Sequence, residues 1–241
     1  MARLLFVLFG LMFATAAPAG AQSFNAQEQA EIRAVVRDYL VSNPDVLREA
    51  LDALEARATA ERWRTIRDDP RDFSMGPADA PIVIVEFFDY RCPYCHAAFE
   101  WVNDIVRTRR DVRVVFAEFP ILSEQSLEAA RAAVASMPQG RYFAFHRALM
   151  SARGELTSEA IDAIARDVGI DVPRMRRAME SAEIDAAIQD NHERAYEYSI
   201  QGTPGFVING EAVPGGFNRE RLEERLRQVT REVRSRQQAE R

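Results

Sequence analysis

An apolar run, Ile82-Val83-Ile84-Val85-Glu86-Phe87-Phe88, leads almost directly into Cys92-Pro93-Tyr94-Cys95-His96, which holds both cysteines of the chain. The β-branched and aromatic run reads as a buried strand. Pro93 suits the first position of a helix, where a missing N–H costs nothing. The dithiol is thereby set at a strand end and a helix start. A sulfur at a helix N-terminus meets unpaired backbone N–H groups and the positive end of the dipole, so its thiolate is favoured. Cys92 is therefore read as a redox nucleophile and Cys95 as its resolving partner.

The rest of the pattern builds around this pair. A helix is expected from about Cys92 to Thr108, then a strand over 112–116; strand, helix, strand suggests a parallel pair with a crossover. Residues 123–199 are helical in pattern, with breaks at Pro138, Gly154, Gly169 and Pro173. Gly205 to Ile208 reads as a short strand, Asn209-Gly210 as a hairpin turn and Glu211 to Val213 as its return. A last helix begins near Asn218 and carries Leu222, Leu226, Val229 and Val233, and its polar tail is expected to fray. The order is α/β: a thioredoxin fold with a central helical insertion and an N-terminal helical segment.

Residues 1–21 read as a secretory signal: Arg3, a short apolar stretch from Leu4 to Phe13, and Ala19-Gly20-Ala21 as cleavage site. Residues 22–67 read as two helices parted at Ser42-Asn43-Pro44, with Asn43 expected to cap the second. Their stripes, Ile32, Val35, Val36, Tyr39 and Leu40, then Leu47, Leu51, Leu54 and Ala58, fit either packing on the main domain or an oligomerisation stalk. Residues 74–122 and 200–241 would form the thioredoxin-like domain and 123–199 the inserted helical domain. Export would place the protein in the periplasm, an oxidising compartment. A 92–95 bridge closes almost no loop and adds little stability, which favours a chemical role over a structural one. The net charge of −6, without a basic patch, argues against nucleic acid as partner.

Rival readings of the motif stand beside this one. Cys-x-x-Cys-His is also the pattern of c-type haem attachment, which would make an electron carrier. A zinc site needs about four ligands, and Cys92, Cys95 and His96 offer three. Soft thiolates suit Cu(I), so a non-catalytic copper-binding or chaperone module is a further alternative. His96 reads as a surface residue of the first helical turn, and His146 and His192 as packing or surface residues. Glu86 is the lone acid of its strand; buried behind a dithiol it could shuttle the proton of Cys95. Thr203-Pro204 precedes the third strand. A cis bond there would bring Pro204 to the sulfurs and free the Thr203 backbone to pair with an extended peptide. Thr203, Pro93 and Tyr94 are accordingly the expected substrate contacts.

Val85-Glu86-Phe87-Phe88-Asp89-Tyr90-Arg91-Cys92-Pro93-Tyr94-Cys95, with Thr203-Pro204 and the inserted helices, resembles the DsbA-like thiol–disulfide oxidoreductases from about Asp79 to Arg236. The resemblance implies that Glu86 is the family's buried acid, Cys92 the nucleophile, Cys95 the resolving cysteine and Pro204 the cis-proline. Residues 31–67, with Asn43-Pro44-Asp45-Val46-Leu47, and Glu118 to Leu122 are most similar to the ScsC branch, some members of which form trimers. That branch is also linked to copper tolerance. Tyr94 stands where the archetype has histidine, and Thr203 where it has valine. Both departures point toward reductase or isomerase rather than strongly oxidising activity. No cofactor is implied. The implied partners are exported cysteine-containing proteins, a membrane redox partner and further copies of the chain.

Overall fold

The computed structural model describes residues 24–239, so the signal-peptide reading of 1–21 lies outside the described residues. The chain divides into two units, one ending at Ala53 and one running from Leu54.

The first unit is helical. α1 (Ala26–Ser42) opens with a capping box: Asn25 Oδ1 accepts from Gln27 N and Glu28 N, and Glu28 Oε2 accepts from Asn25 N. Asn43 does not cap the next helix. Its amide Nδ2 donates to the Tyr39 carbonyl at 2.8 Å, so the side chain closes the C-terminus of α1, where carbonyls lack partners. α2 (Pro44–Arg67) starts on its proline. No residue of α1 is buried, and Ile32, Val35, Val36, Tyr39, Leu47 and Leu51 are all exposed.

The second unit holds a five-stranded sheet in the order β1-β3-β2-β4-β5, made of β1 (Phe73–Met75), β2 (Ile82–Phe88), β3 (Val112–Glu118), β4 (Gly205–Ile208) and β5 (Glu211–Val213). β2 and β3 run parallel through the crossover α3 (Pro93–Thr108); the other pairings are antiparallel. β1 was not anticipated. Its three residues are too few to show a period, and it pairs on β3 from the linker, Phe73 against Phe116. The turn between β4 and β5 is as expected, with Asn209 and Gly210 at φ of 46° and 89°.

Alternation along β2 serves two cores. Val83, Val85 and Phe87 pack with Ile66 of α2, Val115, Ala117, Tyr198 and Val207. Ile82, Ile84 and Phe88 face α3 and belong to the larger core, which also contains Cys92 and Cys95. Glu86 shares the parity of Ile84 and Phe88, so the acid points to the dithiol side.

Between β3 and β4 come α4 (Glu124–Ala135), a 3₁₀ turn over Met137–Gln139, α5 (Tyr142–Ser151), α6 (Ser158–Asp167), α7 (Val172–Ala178) and α8 (Ala182–Glu197). Ser123, Thr157, Asp171 and Ser181 cap four of these helices with their side chains. α9 (Arg219–Ala239) runs through the tail expected to fray. That tail consists of good helix formers with local bonds, Gln228 to Glu232 and Ser235 to the Glu232 carbonyl. Asp69, Arg71, Asp72 and Arg194 tie the approach to β1 onto α8, with Asn191 Nδ2 donating to Asp72 at 2.8 Å. No helix among the described residues is long and apolar enough to cross a membrane.

Candidate active site

Cys92 is the N-cap of α3, and Pro93 follows in its first turn. The cysteine's φ of −78° and ψ of 117° are extended, as an N-cap requires, and its own N–H bonds the Asp89 carbonyl at 3.1 Å. Both thiols are free; Cys92 is 4% exposed and Cys95 fully buried one turn on. The Thr203–Pro204 peptide is cis, and the Cys92 sulfur lies 3.1 Å from the Thr203 carbonyl oxygen. Residues 111 positions apart in the chain therefore meet at this sulfur.

The two sulfurs differ electrostatically. The Cys95 thiol bonding to Cys92 is the largest influence that lowers the Cys92 pKa, to about 6. Burial opposes it; the Thr203 hydroxyl and the amides of Cys95 and Tyr94 reinforce it. The Thr203 carbonyl can bond only the protonated thiol, whereas these donors serve the thiolate. Cys95 shifts upward, first through burial, then through its bond to Cys92 and the Glu86 charge. Glu86 is 2% exposed, and burial together with the negative Cys92 pushes it up to about 8.

Tyr94 is two-thirds exposed. It lines a groove of about 550 Å³ with Thr203, Pro204, Gly205, Val213, Gly215 and Gly216, between the cis-proline loop and the turn after β5. The expected residues thus fall into one region: Cys92, Cys95, Glu86 and Pro204 around the sulfurs, Tyr94 and Thr203 along the groove. Pro93 is exposed beside them. His96 does not point freely to solvent; its Nε2–H donates to the Tyr90 carbonyl at 2.7 Å. His146 is buried in an aromatic cage, and burial drives its pKa down to about 3. His192 stacks edge-on against Phe119. No cluster of three or more His, Cys, Asp or Glu placed to hold a metal occurs among the described residues.

Two buried acids escaped the sequence reading. Asp89 follows β2, and its carboxylate accepts from Arg91 N at 2.7 Å and Ser126 Oγ at 2.8 Å. Its second oxygen accepts from Ile121 N and Leu122 N, each at 3.0 Å. Glu118 ends β3 and accepts from the hydroxyls of Tyr90 at 2.9 Å and Tyr142 at 2.8 Å. Burial raises the Glu118 pKa although both hydroxyls oppose it. The available signal was an acid at the end of each apolar strand, facing the same end of the sheet.

Residues 83–227 match the DSBA-like thioredoxin domain, which is more than half of the chain. The chain belongs to the DsbA-like thiol–disulfide oxidoreductase family. Residues 28–61 match the copper resistance protein ScsC N-terminal domain. A thioredoxin-like oxidoreductase from Silicibacter pomeroyi is 38% identical, with a TM-score of 0.66 over 70% of this chain and 97% of that one. ScsC of Proteus mirabilis in a transitional conformation is 28% identical, with a TM-score of 0.64 over 89% and 98%. Among curated relatives, the Na(+)/H(+) antiporter NhaA 1 of Salinispora arenicola is 31% identical over 157 residues, which is 64% of this chain and 24% of that protein. The chain spans about a quarter of the length of such relatives. The fold class and family expected from the sequence are those found.

Proposed function

We propose that the protein is an exported, periplasmic thiol–disulfide oxidoreductase that reduces or isomerises disulfides in other exported proteins. The observation that carries this reading is the Cys92 sulfur, thiolate-stabilised at the start of α3 and 3.1 Å from the Thr203 carbonyl beside a cis-proline. In the reducing direction the Cys92 thiolate attacks a substrate disulfide. A Cys92–substrate S–S bond forms, the substrate S–S bond breaks, and the leaving thiolate takes a proton. Cys95 then gives up its proton to Glu86 and attacks the Cys92 sulfur. The 92–95 disulfide forms, the second substrate thiolate leaves and is protonated, and two electrons have passed to the substrate. A membrane redox partner restores the dithiol. Oxidation is the same sequence reversed.

The Thr203 backbone, which lines the groove beside Tyr94, suits pairing with an extended substrate segment. The exposed apolar stripe of α1 and α2, together with the likeness of residues 28–61 to the ScsC N-terminal domain, supports self-association through residues 22–67. Insulin reduction tests the chemistry: Cys92→Ala abolishes turnover, and a Cys92→Ala variant with full activity refutes it. Sedimentation of the chain with and without residues 22–67 tests the association, which a monomer in both forms refutes.

A further inference from the structure

Far from the dithiol, the fold gathers arginines that the sequence keeps apart. The turn after α3 carries Arg109 and Arg110. α9 carries Arg227, Arg231 and Arg234, whose spacing of four and then three residues sets them on one helix face. Arg109 Nη2 donates to Thr230 Oγ1 at 3.2 Å across 121 positions of sequence and joins the two stretches. Between them lies a groove of about 750 Å³, lined by all five arginines and by one acid, Asp111. Ile82 also lines it, so the groove sits where β2 and β3 begin. The length of β2, about 20 Å, separates it from the dithiol end of the sheet.

The positive charge is local to this groove, since the chain as a whole carries −6. The groove beside β5 sets Glu211, Glu220 and Glu224 against Arg221 and Arg225. The one along α2 sets Glu55, Glu61 and Glu197 against Arg62. In the arginine groove Asp111 pairs with Arg109 at 2.7 Å, and Glu224, outside it, serves Arg227 at 2.8 Å and Arg231 at 3.6 Å. Neither Arg110 nor Arg234 forms an ion pair among the described residues. The bond from Arg109 is the largest influence holding the Asp111 carboxyl below its ordinary value, and the Arg234 charge adds to it. Cations complement the C-terminus of a helix, which accounts for Arg109 and Arg110 beyond α3. It does not account for Arg227 and Arg231, which lie midway along α9.

We infer that this groove binds a compact, multiply charged phosphate group, carried by an anionic lipid headgroup or free in solution. A cleft lined by one sign of charge focuses its field and concentrates counter-ions. A guanidinium fork meets two phosphate oxygens at once, and an oligophosphate has oxygens and charge enough to engage several forks, whereas a carboxylate fills one. No aromatic side chain lines the groove, so it lacks the stacking surfaces of a site for a nucleic-acid strand. Occupancy leaves the sulfurs accessible, because the two sites lie at opposite ends of the sheet.

Calorimetric titration of the full chain with tripolyphosphate tests the free source. Flotation with phosphatidylglycerol vesicles, against phosphatidylcholine vesicles, tests the headgroup. The wild type binds one tripolyphosphate per chain, or prefers the anionic vesicles, or does both. Arg110→Gln/Arg234→Gln weakens whichever binding is seen by about tenfold or more. Arg147→Gln/Arg153→Gln removes the same charge from exposed positions outside the groove and leaves binding within about twofold. Circular dichroism verifies the fold of both variants. A wild type that takes neither probe overturns the proposal, as does an equal loss in the two double variants. Tighter binding of hexaglutamate than of tripolyphosphate also overturns it and assigns the groove to an acidic polypeptide.

Discussion

Cys95→Ala is the change that tests the electrostatics of the dithiol most directly. The Cys95 thiol is the largest influence lowering the Cys92 pKa, while the amides of α3 and the Thr203 hydroxyl remain after its removal. A hydrogen bond to a charged group contributes about 1.5–3 kcal/mol. At about 1.36 kcal/mol per pKa unit, its loss raises Cys92 by about one to two units. The parent Cys92 titrates near 6, so the variant titrates between about 7 and 8. At neutral pH its thiolate fraction drops from about nine-tenths to between about a half and a tenth. Two assays follow this: the ultraviolet absorbance of the thiolate against pH, and the pH profile of iodoacetamide alkylation. In the parent, Cys95 stays silent over this range because burial keeps it protonated. A variant that titrates at or below the parent value refutes the argument and assigns the shift to the helix amides alone.

Three further outcomes follow. Glu86, at 4.5 when unfolded and about 8 when folded, binds a proton that the unfolded chain releases, so its contribution to stability falls as pH rises through that window. Glu86→Gln therefore stabilises the protein at pH 7 by up to about 3 kcal/mol and has little effect near pH 4; a gain in melting temperature that does not grow with pH contradicts this. Asp89→Ala strands the amides of Arg91, Ile121 and Leu122 and lowers stability by about 3–5 kcal/mol in urea unfolding, and a loss under about 1 kcal/mol refutes its bracing role. Gly205→Ala drives a Cβ into Ile200 Cγ2 and lowers stability by about 1–3 kcal/mol; adding Ile200→Ala recovers part of the loss, and strict additivity in thermal melts contradicts the clash.

The sheet was legible where each strand carried its own signal. Ile82 to Phe88 is buried throughout and, Glu86 apart, apolar, because helices or loops cover both of its faces. The Asn209-Gly210 turn announced the terminal hairpin through its positive φ values. β1 had no comparable mark, since its three residues form a strand only because β3 offers them a paired edge. Asn43 shows the same limit at a cap: two helix ends compete for one side chain, and local sequence does not choose between them. The cysteines were visible because a dithiol announces its chemistry by spacing. Asp89 and Glu118 were not, because their partners, the amides of 121 and 122 and the hydroxyls of Tyr90 and Tyr142, are fixed only by the fold.

The position of Glu86 gives the proposed exchange an internal order. Between pH 6 and 8, the reduced protein combines a Cys92 thiolate with a protonated Glu86, because hydrogen bonds hold Cys92 down to about 6 while burial, joined by the Cys92 charge, pushes Glu86 up to about 8. In the mixed disulfide Cys92 is neutral, and the repulsion that helped raise Glu86 is gone. The acid then ionises more readily, at the stage when buried Cys95 must lose a proton before it can attack. The base is thus strengthened in population only after substrate is attached, and Cys95 stays quiet until then. Glu86→Gln should leave the first attack, read as single-turnover loss of the substrate disulfide at pH 7, within about threefold of the parent. It should slow resolution of the trapped mixed disulfide by about a hundredfold, the lower range for a positioned general base. Slowing confined to the first attack would contradict this order.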